Sequence, residues 1–492
     1  MGAPLVLGID QGTSSTKCLL VDGSGAVVAR GQAALSETHP EPGWVEQDAE
    51  AIWASVQAAV GGCVPPEQAA SVVAVGLSTQ RESVVVWDRA TGRALSPVLS
   101  WQDRRTAPLA ARIGSPEARG RVRAISGLPL DPMFSALKAR WLLDGIDPGR
   151  KETRTGGLCV GTVDSWITSR FGGSPLIEAG NASRTQLLDV ERAAWSEELL
   201  DLFDIPMAAL PAVVASDGPF PAVRGLAPLP DGVPLRAVMA DSHAALFGHG
   251  ARSPGEVKAT QGTGSSVMGL VAPGAPLDPG VCKTIAWSVG GVVHAAEGNI
   301  RAAGATLRWV AGLLDMPVDA LMALAKGADS QGVFLVPGFN GLGAPWWDDQ
   351  AVGLLTNVTL GTSRAAIARA ALDSIAHQIA DVVDAIDRGP AAVSRLFVDG
   401  GPTRNDALMQ AEADLIGRPI LRGDTAELSA LGVVQLAGLG AGLWTEAQLA
   451  DRQPKRDVFE PRLPDARRQL ARSHWRRAVS RSRWRGPEPE TA

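Results

Sequence analysis

A run of polar side chains separates two short apolar runs near the start of the chain. The stretch is LGIDQGTSSTKCLLVD, residues 7–22, and its polar members include Asp10, Gly12, Thr13, Ser14, Ser15 and Lys17. Glycine, hydroxyl groups and an amine suit phosphate oxygens, but a Walker A loop needs a second glycine before the lysine and a helix after it. An apolar run follows Lys17, which favours a strand. We therefore expect a phosphate-binding turn between two strands.

A second glycine- and hydroxyl-rich turn occurs in the other half of the chain. The stretch EVKATQGTGSSVMGLV, residues 256–271, has the pattern of a strand, a turn and a strand. The backbone N–H groups of such a hairpin form a concavity that suits phosphate oxygens. Two hairpins of this kind predict a polyphosphate that is gripped from both sides.

Several charged side chains follow apolar runs. Asp10 ends a strand and either holds Mg²⁺, which prefers oxygen ligands, or caps the turn. Arg81 and Glu82 follow a strand and could hold a vicinal diol as an adjacent donor and acceptor, whereas a surface ion pair would contribute little. Local sequence alone favours a helix N-cap for Asp241. His243 is expected to pack or to form a local hydrogen bond.

The composition is that of an ordinary globular protein and narrows the classes of function. The 492 residues suffice for two or more domains, with 45% hydrophobic and 20% charged residues. A net charge of −6 argues against a general nucleic-acid binder. Four scattered cysteines disfavour a disulfide framework and a zinc site. Neither a signal peptide nor a membrane helix is recognisable, so we expect a cytoplasmic protein without membrane insertion.

The hydrophobic pattern predicts an α/β chain in two halves. An antiparallel meander is expected over residues 5–29, and Asp48 is expected to cap a helix. Prolines over 206–234 predict a loop, and residues 248–257 a domain hinge. The other expected elements are an amphipathic helix over 367–386, a buried strand over 395–401, a helix over 405–416 and a basic helix over 467–485 that packs Trp475 and Trp484.

Eight segments in order resemble the FGGY carbohydrate kinases, and most of all the glycerol kinases. They are GIDQGTSSTK (8–17), TQRESVVVWD (79–88), SWQDRRT (100–106), GLPLDPMFSALKARWLLD (127–144), MADSHAALFG (239–248), KATQGTGSS (258–266), FNGLGAPWWD (339–348) and VDGGPTRNDALMQAEAD (398–414). The resemblance implies two ribonuclease H-like domains, as in actin and hexokinase, with an active-site cleft between them. We expect an N-terminal domain over 1–250, with the first phosphate loop and the substrate pocket, and a C-terminal domain over 251–492, with the second loop and the adenosine site.

The same resemblance implies roles for individual residues. Asp241 becomes the general base that takes the proton of the attacking hydroxyl, and Asp10 the Mg²⁺ ligand. The residues expected to bind substrate are Arg81, Glu82, Trp101, Met133, Asp241 and Ser242. The residues expected to bind ATP are Gly12, Thr13, Ser14, Ser15, Lys17, Thr263, Gly304, Arg308, Gly400, Gly401 and Asn405.

Five positions depart from the glycerol kinase pattern. Lys17 stands where Arg is usual and loses bidentate geometry, and Arg308 stands where Gln is usual. In the glycerol pocket Met133 replaces Tyr, Ser242 replaces Gln and Ser266 replaces Phe. Because two of these changes remove volume and Met adapts to different shapes, we expect a roomier pocket.

These observations predict an ATP- and Mg²⁺-dependent kinase for a terminal hydroxyl of a small polyol or sugar. A ketopentose kinase of the xylulokinase or ribulokinase type is the alternative within this class. An actin- or chaperone-like ATPase that controls a partner is the alternative from another class, against which the substrate segments speak. Both a homodimer and a homotetramer stay open.

Overall fold

The computed structural model describes residues 2–389, 392–423, 425, 427–452 and 455–485, and the chain divides into two compact units. The first unit comprises Met1–Ala251, Lys283–His294 and Glu427–Gln453. The second unit comprises Arg252–Cys282, Ala295–Ala426 and Pro454–Ala492. Two segments beyond residue 251 thus belong to the first compact body, which the sequence did not indicate. The functional assignment of 1–250 and 251–492 stays a prediction.

Strands and helices alternate along most of the chain. Strands β1 to β22 are, in order, Leu5–Gln11, Ser15–Asp22, Val27–Ala34, Glu46–Gln47, Val72–Thr79, Val84–Asp88, Val98–Leu99, Leu158–Thr162, Leu176–Glu178, Leu188–Asp189, Ala194–Trp195, Ala212–Val214, Leu235–Ala240, Glu256–Gln261, Ser265–Val271, Cys282–Ser288, Val292–Ile300, Phe334–Val336, Leu354–Thr356, Arg395–Asp399, Ile420–Gly423 and Arg456–Phe459. Helices α1 to α16 are, in order, Ala49–Cys63, Ala107–Ile113, Pro116–Ser126, Ser135–Ile146, Lys151–Arg154, Val163–Arg170, Ala179–Ala182, Glu197–Phe203, Asp241–Gly248, Gly304–Leu313, Val318–Ala325, Arg364–Asp387, Asp406–Ile416, Leu428–Gly440, Glu446–Asp451 and Asp465–Ser482.

A five-stranded sheet organises the first unit, in the order β13-β5-β1-β2-β3. Strands β1, β2 and β3 form the antiparallel meander that the sequence predicts. Strands β1, β5 and β13 are parallel, with Gln11 and Ala240 both opposite Thr79. The carboxyl ends of three parallel strands therefore meet at one edge, which is where α/β sheets carry their ligands.

Helix α14 packs on this sheet although it comes from the C-terminal part of the chain. A Cβ atom on Gly8 would lie 2.5 Å from the carbonyl oxygen of Ala430, and one on Gly76 would lie 2.3 Å from that of Val433. Since both distances are far below van der Waals contact, only glycine lets β1 and β5 approach this helix so closely.

A smaller four-stranded sheet in the first unit, of order β4-β7-β6-β8, packs with helix α4. Its core is aliphatic and includes Val84, Val86, Leu99, Leu137 and Leu142. Two loops extend from this layer: the one after β7 carries Trp101, and the one before α4 carries Met133.

A seven-stranded sheet has the order β16-β17-β15-β14-β20-β21-β22, and its strands β14, β15, β20, β21 and β22 lie wholly in the second unit. The expected hairpin is β14 and β15, the long helix is α12, and the strand and helix expected over 395–416 are β20 and α13. The expected basic terminal helix is α16, but only one of its tryptophans packs: Trp475 is 1% exposed and Trp484 73%. No helix among the described residues is both long and apolar enough to cross a membrane.

Candidate active site

The first phosphate loop is a tight hairpin between β1 and β2 whose backbone is held from outside. Gly12 N donates to Ser15 O at 3.0 Å, and Gln47 Nε2 donates to Thr13 O at 2.6 Å. The indole N–H of Trp101 donates to Thr13 Oγ1 at 3.0 Å. Trp101, which is expected to bind substrate, is therefore linked directly to the loop that is expected to bind phosphate.

Two carboxylates lie at the carboxyl edge of the parallel strands. Asp10 lies near the end of β1, and its Oδ1 accepts a hydrogen bond from Ser78 Oγ at 3.0 Å. Asp241 follows β13 directly and is the first residue of α9. Burial, together with the negative charge of Asp241, raises the pKa of Asp10 to about 7. The two carboxylates thus lie close enough to repel each other, with Lys17 and Arg81 as neighbouring cations.

This pair fits Mg²⁺ in the way that kinases bind it. Mg²⁺ takes one or two carboxylates from the protein and completes its shell with phosphate oxygens and waters. Among the described residues no group of three or more His, Cys, Asp or Glu side chains could form an all-protein metal cage. The carboxylate oxygens of Asp10 and Asp241 are therefore donors of the kind that would hold hydrated Mg²⁺.

A buried arginine orients Asp241. Arg81 is 7% exposed, and its Nε lies 3.2 Å from Asp241 Oδ1. Ser242 N also donates to Oδ1, at 2.5 Å. The N-cap position of α9 is Ala240, so Asp241 stands one residue inside the helix rather than at the N-cap that local sequence favours. Arg81 and the Ser242 N–H contribute to the orientation of the carboxylate.

Glu82 is held by an arginine that the sequence analysis did not identify. Arg184 is completely buried, and its Nε donates to Glu82 Oε1 at 2.7 Å, whereas Arg81 Nε lies 3.9 Å from the same oxygen. Glu82 is itself 3% exposed, with a φ of 60° that is unusual outside glycine. The surface-pair interpretation of Arg81 and Glu82 is therefore wrong, since the two residues are buried with Arg184 in a row of alternating charge that ends at the partly exposed Asp241.

Sequence spacing gave no direct signal for Arg184. It lies 102 residues from Glu82, in the stretch NASRT after the short helix α7. The one available hint is an arginine within a run of small and apolar residues, because a buried arginine needs an anionic partner. That hint does not tell which carboxylate provides the charge.

The other residues expected to bind substrate lie at the surface of the first unit. Trp101 is 36% exposed, and Met133 and Ser242 are partly exposed. Met133 N donates to Asp131 Oδ1 at 2.8 Å, which shapes the turn before α4. His243 is buried, with Nε2 3.4 Å from Thr284 Oγ1, as expected for a residue in a local contact.

The second phosphate loop lies in the second unit and is coupled to the start of α10. The backbone N–H groups of Ala303 and Ala305 donate to Thr263 O at 2.9 and 3.0 Å, and Gly304 N donates to Gly262 O at 2.9 Å. A Cβ atom on Gly304 would lie 2.6 Å from the same Gly262 oxygen. Arg308 Nη2 lies 3.2 Å from Thr263 Oγ1, so the residue that replaces the usual Gln contacts the loop directly.

Another part of the expected nucleotide site follows β20. Gly400 has a φ of 103°, and a Cβ atom there would lie 1.9 Å from Gln261 O, so glycine is required. The described backbone makes a short turn from Gly401 to Arg404, and Asn405 then caps α13 by accepting from Leu408 N at 3.0 Å. Ser266, also in this unit, donates to Glu297 Oε1 at 2.8 Å.

Comparison with known proteins identifies the family. The model of the N-terminal domain of the FGGY family of carbohydrate kinases matches residues 5–248, and that of the C-terminal domain matches residues 257–441. The chain belongs to the FGGY family of carbohydrate kinases. FGGY relatives include an apulose kinase of Pectobacterium atrosepticum, 43% identical over 99% of both chains. A glycerol kinase of Aromatoleum aromaticum is 42% identical over 97% of this chain and 98% of its own.

Solved FGGY structures confirm the fold. A Plasmodium falciparum glycerol kinase with ADP matches with a TM-score of 0.90 at 26% identity, over 98% of this chain and 99% of the other. A xylulose kinase of Lactobacillus acidophilus matches with a TM-score of 0.85 at 18% identity, over 97% of each chain. The α/β, two-domain FGGY fold that the sequence predicts is thus confirmed, as is its assignment to the carbohydrate kinases.

Proposed function

We propose that this kinase transfers the γ-phosphate of ATP to a terminal hydroxyl of a small polyol or sugar, and that its preferred acceptor is larger than glycerol. The observation that carries the proposal is the row Arg184, Glu82, Arg81 and Asp241, which places a fixed carboxylate at the carboxyl edge of the parallel strands. Family membership supports the reaction class and argues against a chaperone-like ATPase.

In this proposal Asp241 takes the proton of the attacking hydroxyl. Phosphoryl transfer depends mainly on positioning and charge stabilisation, with one group that orients the nucleophile. The Oδ1 atom of Asp241 is engaged by Arg81 and by Ser242 N, so the carboxylate does not need to reorganise when the acceptor binds. Arg81 and Glu82 bind the hydroxyl groups next to the reacting one.

ATP binds through the two glycine- and hydroxyl-rich loops in this proposal. Thr13, Ser14 and Ser15 supply hydroxyl and backbone donors in the first unit, and Thr263 does so in the second. Gly400 and Gly401 let the backbone come close to the nucleotide, as Gly304 does on α10. Asp10 holds Mg²⁺, which when bound supplies positive charge that offsets the phosphates.

Met133 and Ser242 support a preference for an acceptor longer than glycerol. Both stand where glycerol kinases carry longer or bulkier polar groups, and both keep exposed surface in the first unit. Glycerol would leave contacts unmade there, and one missing methylene-sized contact changes kcat/KM by roughly 10–200-fold. Because one relative is an apulose kinase, apulose belongs among the acceptors to be tested.

The decisive experiment is an ADP-release assay with glycerol, erythritol, an arabinitol, D-ribulose, D-xylulose and apulose. We expect a longer acceptor to exceed glycerol in kcat/KM, and a preference for ribulose or xylulose would favour the ketopentose alternative. The Asp241→Asn variant should fold and bind ATP but lose roughly 10²–10⁴-fold in kcat. Glycerol as the best acceptor would contradict the proposed pocket size, and an Asn variant with near wild-type kcat would contradict the assigned base.

A further inference from the structure

Lys138 is a completely buried lysine that contacts both loops expected to line the acceptor pocket. It lies on α4, and its Nζ donates to Met133 O at 2.6 Å and to Ser100 O at 3.2 Å. Ser100 immediately precedes Trp101. One amine therefore joins the backbone beneath Met133 to the backbone beneath Trp101.

Negative charge surrounds this amine and keeps it in place. The carboxylates of Glu82, Asp103 and Asp131 act on Lys138, while Arg104 opposes them. Burial lowers the pKa of Lys138 to about 7. A lysine is rarely buried completely unless it is paired, so a specific arrangement of partners must compensate for its desolvation.

Neighbouring contacts extend the same connection to Glu82. Ser135, the first residue of α4, donates through its Oγ to Glu82 O at 3.1 Å. Ser83 Oγ accepts from Trp101 N at 3.1 Å. Three of the residues assigned to the acceptor, namely Glu82, Trp101 and Met133, are thus tied to the start of α4, and the Lys138 amine connects the segments of the last two.

We propose that Lys138 is a positioning residue that sets the spacing between the Met133 and Trp101 walls and thereby the acceptor length that fits. This inference rests on the proposed function, since it presumes that both walls face the acceptor. Lys138 does not touch the acceptor itself. It acts through the carbonyl groups of Ser100 and Met133, so its effect should fall on acceptor binding and acceptor ranking rather than on ATP.

The test compares Lys138→Met with a control just beyond the C-terminal end of α4. Arg150 is 1% exposed and donates to Asp147 O and Asp204 O, both at 3.0 Å, beyond the end of α4. It is likewise a buried cation bound to backbone carbonyls, and it also pairs with the carboxylates of Asp144 and Asp204, but its partners flank no residue assigned to the acceptor. Lys138→Met and Arg150→Met are assayed with the six acceptors above, and the KM for ATP and the Tm are measured for each.

We expect Lys138→Met to lower kcat/KM for the preferred acceptor by about 100-fold, mainly through the acceptor KM, because a displacement of about 1 Å can have that effect. The KM for ATP should change by less than about twofold, and the ranking of acceptors should flatten. Arg150→Met should lower the Tm and keep the wild-type ranking. A Lys138→Met enzyme with the wild-type ranking would overturn the inference, because Lys138 would then be merely structural.

A second variant covers the case in which Lys138→Met does not fold. Lys138→Arg keeps the positive charge among Glu82, Asp103 and Asp131, but its planar, longer head group does not fit the same two carbonyls. We expect it to fold and to change the acceptor ranking, whereas an unchanged ranking would overturn the inference. If the wild type phosphorylates none of the six acceptors, the proposed function itself fails, and this result is distinct from an unchanged ranking in an active enzyme.

Discussion

Arg184 is a buried side chain that holds Glu82 of the candidate site, although the two residues are 102 positions apart in the sequence. Its Nε donates to Glu82 Oε1, and its guanidinium lies 5.1 Å from the ring centroid of Phe134. In Arg184→Met, Glu82 stays buried and competes with Asp241 for Arg81. Breaking a buried ion pair costs about 3–5 kcal/mol, so we expect a lower Tm. We also expect the acceptor KM to rise by about 10- to 100-fold, since Glu82 loses its position.

The conservative variant separates the two effects of Arg184. Arg184→Lys keeps the charge but gives up the planar fork, so it should recover part of the Tm and less of the acceptor KM. Thermal melts and steady-state kinetics with varied acceptor and varied ATP provide the comparison. If Arg184→Met retains the wild-type acceptor KM, Glu82 is not positioned by this arginine.

Glu412 makes the second unit sensitive to pH. It is completely buried, accepts from Gln261 Nε2 at 2.7 Å, and has a pKa that burial raises to about 8 from the ordinary 4.5. The folded state therefore holds this proton more tightly than the unfolded chain, so this group's contribution to stability falls as the pH rises from about 4.5 to about 8. Glu412→Gln keeps the acceptor for Gln261 and has no proton to lose.

The expected result is a difference in Tm that grows with pH. Glu412→Gln should have a Tm close to that of the wild type near pH 5 and a higher Tm near pH 8. The difference in free energy of unfolding between the two proteins should grow by on the order of 1 kcal/mol per pH unit within this window. Melting curves of both proteins at several pH values give the measurement. A difference that stays constant across these pH values would show that Glu412 does not titrate as described.

At the scale of elements, the packing of α14 against α9 depends on glycines, among them Gly432 on α14 and Gly248 on α9. A Cβ atom on Gly432 would lie 1.9 Å from Ala244 O, whereas one on Gly440 would meet nothing nearer than 3.5 Å. Gly432→Ala must therefore separate the two helices and should destabilise the protein by about 1–3 kcal/mol or more. Because α9 begins with Asp241, activity should fall as well.

Gly440→Ala on the same helix is the matched control. Alanine favours the helix by up to about 1 kcal/mol over glycine, so this change should leave the Tm equal or slightly higher. Denaturation and ADP release measured on both variants test the pair. Equal effects of the two substitutions would contradict the close approach of α14 and α9.

Local patterns predicted the elements whose signals lie within a few residues. The meander of β1 to β3, the cap at Asp48 and the amphipathic helix α12 are all confirmed, because alternation, a capping side chain and the 3.6-residue period act over short range. The partners of Glu82 and the location of α14 depend on contacts across more than 100 residues. Periodicity contains no information about such contacts, so the sequence alone could not provide them.

At the scale of the whole molecule, the first unit depends on a segment from the C-terminal part of the chain. The first unit is completed by Glu427–Gln453, which contains α14. A fragment of residues 1–251 would leave Gly8 and Gly76 of the main sheet without the helix that packs on them. We expect this fragment to lack a cooperative thermal transition by circular dichroism, because it exposes the apolar face that α14 covers. A sharp transition in the fragment would show that α14 is dispensable for the fold.

The late position of α14 also bears on how the protein is made. A ribosome must translate as far as residue 427 before it can make α14, the helix that completes the first unit. At roughly 5–20 residues per second, the five-stranded sheet that ends with β13 waits roughly 10–40 s for its last partner. During synthesis the nascent chain must therefore keep an incomplete N-terminal body from aggregating. Premature termination or slow decoding between residues 251 and 427 should thus increase aggregation of the N-terminal half, although every residue of that half has already been made.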